Sequence, residues 1–78
     1  MPLIKYYGNL ESLTGRKEET IPYTRLREIL KYIRENHGDK AWKEARRCTV
    51  FINHKNYIFH KQINSTDTVH FFPPLAGG

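Results

Sequence analysis

The stretch Leu26-Arg27-Glu28-Ile29-Leu30-Lys31-Tyr32-Ile33 is the clearest structural signal in the sequence. Its apolar residues recur at positions i, i+3, i+4 and i+7, so they form one stripe along an α-helix. Thr24 is the expected N-cap of this helix, and Asn36-His37-Gly38 is expected to end it. The apolar stripe must be buried against another element, which the flanking sequence has to supply.

The sequence before the helix has the pattern of two β-strands. Residues 3–7 and 16–23 are the predicted strands, and a short turn-rich connection over residues 10–15 joins them. Pro22 confines the second strand to an edge or an end of a sheet. Just after the helix, residues 39–47 are expected to form one further short helical turn, in which Trp42 packs inward.

Three more strands are predicted over residues 48–53, 57–59 and 68–72, separated by turns at 54–56 and 64–67. In the last strand, Val69 and Phe71 are expected on one face, and His70 and Phe72 on the other. The order is strand, strand, helix, strand, short strand, strand. It predicts an α+β fold of the β-grasp or ubiquitin-like type, a mixed sheet of four to five strands covered by one main helix.

Size and composition limit the possible functions. The 78 residues suffice for one domain, predicted over residues 1–72, with a small core and little room for a deep catalytic cleft. A carrier, a binding module or a subunit is therefore expected rather than an enzyme. The single cysteine, Cys48, cannot form an internal disulfide, which indicates a reducing compartment.

The sequence has no sign of export or of membrane insertion. Its first residues enter a strand pattern directly, without the features of a signal peptide. No stretch approaches the ~20 apolar residues that cross a bilayer. We therefore expect a cytoplasmic protein without a membrane partner.

The formal net charge of +5 is large for so small a chain. It would suit an acidic protein partner, a nucleic acid or an anionic surface. A small RNA-binding module is one alternative, but no RNA-binding consensus is present, so nucleic acid is not expected as a partner. Three basic residues on one flank of the helix, Arg27, Lys31 and Arg34, are interpreted as a solvated face with a Lys31–Glu35 pair.

No metal site is predicted. The four histidines do not have the close spacing of a structural zinc site, and no carboxylates cluster with them. They are His37, His54, His60 and His70. Cys48 opens a predicted strand, where a thiol is usually a small buried apolar group. No bound cofactor is expected either.

Residues 73–78 are predicted to form an extended, flexible C-terminal tail. Pro73-Pro74 cannot continue a β-ladder and favours an extended conformation. At ~3.1 Å per residue, the six residues would reach roughly 15–20 Å from the domain. Gly77-Gly78 has no side chains, so it can enter a narrow tunnel, and its chemically useful group is the terminal carboxylate. Adenylation would convert this carboxylate into an electrophile that a sulfur nucleophile can attack.

The ending Val69-His70-Phe71-Phe72-Pro73-Pro74-Leu75-Ala76-Gly77-Gly78 closely resembles the C-terminus of the small subunit of molybdopterin synthase, a family of ubiquitin-like sulfur carriers. The stretch from Tyr6 to Gly15 is also similar to the first strand and following loop of that family. Two features depart from the family pattern. Ser65-Thr66-Asp67 stands where relatives usually have Asp-Gly-Asp, and this chain is basic where many relatives are acidic.

The resemblance implies a mechanism in which the catalytic side chains lie on partner proteins. A ubiquitin-activating-type enzyme would use ATP to adenylate Gly78, and a sulfur donor would convert it to a thiocarboxylate. The tail would then enter the large subunit of molybdopterin synthase and give its sulfur to a pterin precursor. The tail residues concerned are Pro73, Pro74, Leu75, Ala76 and Gly77.

Phe72 is expected to lie on the partner-facing surface, because aromatic residues are enriched at the centres of interfaces. Two alternatives within the same chemistry remain open. One is a sulfur carrier for thiamine, cysteine or tRNA thiolation, and the other is a ubiquitin-like protein modifier that joins Gly78 to lysines.

Overall fold

The computed structural model describes residues 1–57 and 62–74. Its strands are β1 Leu3–Tyr6, β2 Glu18–Thr20, β3 Thr49–Ile52, β4 Lys55–Asn56 and β5 Thr68–Phe72. Its helices are α1 Asn9–Thr14, α2 Leu26–His37 and α3 Asp39–Arg47.

Within the described residues, the five strands form one mixed sheet in the order β2-β1-β5-β3-β4. β1 and β5 run parallel, with Ile4 opposite Val69 and Tyr6 opposite Phe71. The β1–β2, β3–β5 and β3–β4 pairs are antiparallel. This topology, crossed by α2, confirms the predicted β-grasp fold.

The core lies between one face of this sheet and the helices. From α2, Ile29 and Ile33 are fully buried and belong to one cluster with Val69 and Phe71 of β5. Each such side chain stabilises the fold by roughly 1.5–3 kcal/mol relative to an exposed one. The apolar stripe that predicted α2 is therefore the surface by which the helix packs on the sheet.

The segment after β1 is helical, whereas a turn-rich connection was predicted there. Leu10 is fully buried, and the Thr14 hydroxyl donates to the Leu10 carbonyl at 3.0 Å. Gly15 follows with φ +73°, and its N–H donates to the Glu11 carbonyl. Burial of Leu10 stabilises a helix too short to form alone.

The prediction for the start of α2 was wrong by one residue. Arg25, not Thr24, is the N-cap, and its carbonyl accepts hydrogen bonds from the N–H groups of Glu28 and Ile29. No side chain caps this end. At the other end, Gly38 with φ +95° ends the helix where the sequence predicted.

The prediction that Trp42 packs inward was also wrong. Residues 39–47 form the complete helix α3, and its buried residues are Ala41 and Ala45. Trp42 is half-buried, with the guanidinium carbons of Arg34 and Arg46 lying 4.3 and 4.7 Å from its ring centroid. Small residues on the inner side let α3 approach the core, and the indole is left at the seam with α2.

Several predicted boundaries shift. β2 pairs with β1 only over Glu18–Thr20, although the sequence predicted a strand over 16–23. β4 occupies Lys55–Asn56, where a turn was predicted, and Tyr57 does not continue it. The rest of the strand predicted over 57–59 lies outside the described residues.

The turn before β5 forms without a glycine. Asp67 is nearly buried, and its carboxylate accepts hydrogen bonds from the Asn64 N–H at 2.8 Å and the Asn53 amide at 3.0 Å. Its carbonyl accepts from the Leu3 N–H. Asp67 thus connects three segments and stabilises the turn at Ser65-Thr66.

Across the described part of the chain, α1, α2 and α3 are all too short and too polar to span a bilayer.

Candidate functional site on the outer sheet face

The sheet has a second face, opposite the helices, which we call the outer face. Because side chains alternate along a strand, burial of Val69 and Phe71 on the helix side places His70 and Phe72 on the outer side. The predicted orientation of the four β5 side chains is therefore confirmed. Phe72 is 38% exposed, whereas Phe71 is fully buried.

Four aromatic side chains meet on the outer face; Tyr7, Phe51, His70 and Phe72 are called the outer-face cluster. The ring of Phe72 is its centre. Its centroid lies 4.5 Å from that of Tyr7, 5.5 Å from that of Phe51 and 5.7 Å from that of His70. The register explains this, because β5 lies between β1 and β3 and places Phe51 opposite His70.

His70 is held in this cluster by a hydrogen bond. The Tyr7 hydroxyl lies 2.8 Å from its Nδ1. Burial lowers the pKa of His70 below its usual value, and the nearby Lys5 and His54 lower it further. The imidazole is consequently neutral at neutral pH, so the cluster presents a largely apolar surface suited to docking a protein.

The tail begins directly after Phe72, the central residue of this cluster. Phe72 is the last residue of β5, and Pro73 and Pro74 follow it directly, with Pro74 exposed. The other tail residues named from the sequence, from Leu75 to Gly78, lie outside the described residues. The structure thus brings one predicted site residue, Phe72, together with the start of the predicted tail.

Comparison with known protein families identifies the family of this chain. The ThiS family matches residues 4–78, which is nearly the whole chain and includes the tail. The chain belongs to the ThiS family. It is therefore a ubiquitin-like sulfur carrier of the ThiS type, as the resemblance of its ending indicated. No curated protein matches it in sequence.

Three solved structures share the fold of this ThiS-family chain. Urm1 from Sulfolobus solfataricus is 18% identical with a TM-score of 0.73, and the match covers 94% of this chain and 100% of that one. A protein assigned as molybdopterin converting factor, subunit 1, from Pyrococcus furiosus is 22% identical with a TM-score of 0.73, over 94% and 95% of the two chains. SAMP1 from Haloferax volcanii is 17% identical with a TM-score of 0.72, over 97% of each chain.

The ThiS-family chain keeps its thiol away from the outer-face cluster. Cys48 precedes β3, is half-buried beside the core and donates from Sγ to the Glu44 carbonyl at 3.3 Å. Burial, with a smaller contribution from the Glu44 charge, raises the pKa of this thiol to about 11. A thiol that stays protonated is a poor nucleophile, and this supports the structural interpretation of Cys48.

The described residues contain no group of three His, Cys, Asp or Glu side chains placed to bind a metal ion. Two of the histidines that were considered have other contacts. His70 contacts Tyr7, and His37 lies 2.6 Å from a carboxylate oxygen of Glu19. Lys31 and Glu35 form no ion pair within the described residues, and Arg34 pairs instead with Asp39 at 2.9 Å.

Sequence reasoning placed His70 beside Phe72 on one face of β5 but missed Tyr7 and Phe51 as members of the outer-face cluster. Tyr7, Phe51 and His70 lie far apart in the chain, and only the register of β1, β5 and β3 brings their side chains together. The alternation in β5 was enough to place Phe72 and His70 on one face. The strand order, which decides their neighbours, has no local signal in the sequence.

Proposed function

We propose that this ThiS-family chain is the sulfur-carrying small subunit of a molybdopterin synthase. The observation that carries the proposal is the continuity of the outer-face cluster with the tail, because Phe72 belongs to the cluster and directly precedes Pro73, the first residue of the tail. A partner that docks on the cluster is thereby in reach of a tail ending in Gly77-Gly78. The ending from Phe71 through Gly78, with two aromatics, two prolines and two glycines, supports the pterin pathway among the possible acceptors.

The proposed chemistry takes place at the carboxyl carbon of Gly78. One carboxylate oxygen attacks the α-phosphate of ATP, pyrophosphate leaves, and an acyl-adenylate forms. A sulfur nucleophile at the oxidation level of sulfide then attacks the acyl carbon. AMP departs with the original oxygen, and a thiocarboxylate remains. The thiocarboxylate sulfur then displaces a leaving group on the pterin precursor and forms a thioester. Water hydrolyses this thioester, which leaves the sulfur on the pterin and supplies the oxygen that regenerates the carboxylate.

The division of labour is part of the proposal. A ubiquitin-activating-type enzyme binds ATP and catalyses the adenylation, and the large synthase subunit holds the pterin. The carrier supplies a docking surface and a slim tail, with no catalytic side chain of its own. Pro73-Pro74 limits the conformations of the unbound tail, so less entropy is lost when residues 75–78 enter a partner's active site.

The chemical step is tested by intact mass spectrometry after incubation with ATP, the purified activating enzyme and a sulfide source. Exchange of one oxygen for sulfur adds ~16 Da, the end state of an acyl-adenylate intercepted by sulfur. Deletion of Gly78 and addition of one C-terminal alanine are both expected to abolish the adduct. An unchanged mass for the native chain with an active enzyme would refute the sulfur-carrier mechanism at Gly78.

The docking surface is tested with two aromatic residues of similar exposure. Phe72 is 38% exposed on the outer face, and Tyr23 is 40% exposed beside Tyr32 of α2. Phe72→Asp should weaken binding to the large synthase subunit at least about tenfold, since a buried aromatic anchor carries much of the binding free energy. Tyr23→Asp should leave the affinity within about twofold, and equal effects of the two changes would exclude the outer face as the docking surface.

A sulfur carrier for another acceptor is the second candidate, and the family match itself supports it, because it does not distinguish the acceptors. In this case the thiocarboxylate would serve thiamine, cysteine or tRNA thiolation. Sulfur transfer from the purified thiocarboxylate to a pterin precursor, measured with the large synthase subunit, separates the two. Thiocarboxylation without such transfer would favour the second candidate.

A further inference from the structure

The two residues that follow β1, Tyr7 and Gly8, contact the end of β5 and the start of the tail. Tyr7 lies against Phe72, with the two rings 17° from parallel and their centroids 4.5 Å apart. Gly8 lies against Pro73. A Cβ built on Gly8 would be 2.9 Å from Cγ of Pro73 and 3.6 Å from its Cβ.

The contact at Gly8 leaves no space for a side chain. A separation below about 3 Å between carbon atoms is well inside their optimal contact distance, so one of the two groups would have to move. The ring of Pro73 cannot rotate away, because it is closed onto its own backbone. Cγ can therefore retreat only by a change of ring pucker, and any larger movement of the ring moves the backbone of the tail.

We propose that Gly8, together with Tyr7, is a positioning element that sets the direction in which the tail leaves the domain. The proposal rests on the proposed function, in which a partner docked on the outer-face cluster must receive the tail. Six residues in the extended conformation predicted from the sequence would span roughly 15–20 Å, so a change of about 15° in direction at Pro73 would displace the tip by about 4–5 Å. Such a displacement is enough to misplace a reacting carboxylate.

Gly8 also has a local role, which the experiment must separate from positioning. It precedes α1, its carbonyl accepts a hydrogen bond from the Glu11 N–H, and its φ is +59°. A side chain is strained at this φ whatever surrounds it. Gly15 is a control for positive φ, because it lies at the other end of α1 with φ +73° and has open space around its Cβ position. Its ψ of 16° is left-handed helical, whereas the ψ of −134° at Gly8 is not, so the double variant is the control for the clash itself.

The experiment compares Gly8→Ala, Gly15→Ala, Pro73→Ala and the double variant Gly8→Ala/Pro73→Ala in the full chain. Gly8→Ala should lower the urea midpoint more than Gly15→Ala does, because a side chain is more strained at the ψ of −134° of Gly8 and its Cβ meets Pro73. In thiocarboxylation kinetics, Gly8→Ala should reduce kcat/KM at least about fivefold more than Gly15→Ala does. The double variant should recover to within about twofold of Pro73→Ala, because removal of Cγ removes the clash.

A structural readout keeps this test separate from the proposed function. In the native chain, NMR should show nuclear Overhauser effects between the Hα protons of Gly8 and the ring protons of Pro73. Gly8→Ala should shift the amide resonances of residues 75–78, and Gly15→Ala should leave them unchanged. This readout stands even if the native chain is never thiocarboxylated, which would count against the proposed function only.

Either of two results would overturn the positioning role. One is the absence of the Gly8–Pro73 contact in the native chain, a measurement that needs no variant to fold. The other is a Gly8→Ala variant whose tail resonances and kcat/KM match those of Gly15→Ala, which would leave Gly8 only its local role at α1.

Discussion

At the scale of single residues, Glu19 has a nearly buried carboxylate that two other side chains contact closely. Its Oε2 accepts a hydrogen bond from the Tyr6 hydroxyl at 2.5 Å and lies 2.6 Å from Nε2 of His37. The side chains of Glu19 and His37 are only 7% and 9% exposed. Burial raises the pKa of Tyr6, and the hydrogen bond to Glu19 raises it further, so Tyr6 remains a donor. Glu19 thereby ties the short strand β2 to β1 and to the end of α2.

Replacement of Glu19 by alanine should therefore destabilise the domain markedly. The Tyr6 hydroxyl and His37 would remain buried without an acceptor, at a cost of about 1–3 kcal/mol for each such group. The adjacent Glu18 is the control, because its side chain is half exposed. It forms a surface ion pair in which its Oε1 lies 3.8 Å from Nζ of Lys5. Glu18→Ala should change the free energy of unfolding in urea by less than about 1 kcal/mol. Equal effects of the two changes would contradict this account.

Neither this network nor the conformation at Gly8 can be predicted from sequence. Glu19 belongs to a run of charged and polar residues, Arg16 to Thr20, that by pattern is an exposed edge strand. Its burial depends on His37, eighteen positions later, and on Tyr6. Likewise, Gly8 reads as an ordinary turn glycine. Only the parallel pairing of β1 with β5 brings it to Pro73.

At the scale of secondary-structure elements, the periodicity of apolar residues predicted the longer, regular elements. The apolar stripe of α2 and the alternation in β5 both correspond to the structure, because each element buries one face. α1 was missed since its six residues are bounded by Gly8 and Gly15, which in sequence are typical of a loop. The inward side of α3 was misassigned to Trp42 because an indole is the more apolar group, whereas two alanines allow the closer approach.

The alternation in β5 predicts opposite consequences for two adjacent phenylalanines. Phe71→Ala should cost about 3–5 kcal/mol, because it removes a fully buried ring from the core. A domain of this size is stable by only about 5 kcal/mol, so the variant should retain about 0–2 kcal/mol of stability and be marginally folded in water. Phe72→Ala removes outer-face ring contacts and should cost about 1 kcal/mol. Urea denaturation followed by circular dichroism measures both, and similar losses would show that β5 does not alternate as described.

At the scale of the whole molecule, the sheet separates two functions. Its inner face holds the helices and supplies stability, and its outer face carries Tyr7, Phe51, His70 and Phe72 beside the start of the tail. Sequence predicted the layered fold and the position of Phe72, since both follow from local patterns. The same alternation placed His70, whereas Tyr7 and Phe51 join the cluster through strand order, which is decided by contacts between distant parts of the chain.

Mild acid should lower the stability of the domain through protonation of His70 on the outer face. The folded-state pKa of His70 lies below its usual value near 6.5, so the folded state binds this proton less readily than the unfolded state does. The stability that neutral His70 contributes is present above about pH 6.5 and is lost as the pH falls through the folded-state pKa. The groups facing it are Lys5, His54 and the Tyr7 hydroxyl.

This effect is measured as the fall in Tm between pH 7.5 and 5.5, a range above the normal pKa values of carboxylates. His70→Gln should show a smaller fall than the native chain, because glutamine does not titrate and can still accept from Tyr7. Identical pH profiles of the two proteins would mean that His70 does not contribute to the acid sensitivity.

The parallel pair β1–β5 also has a kinetic consequence. Leu3 pairs with Thr68, some 65 positions later, and the two strands stand side by side within the sheet. Joining them closes a loop of nearly the full chain length before any ladder contact can compensate for the lost entropy. Folding should accordingly be slow for so short a chain, on the order of milliseconds or longer, with the encounter of these two segments as the limiting search.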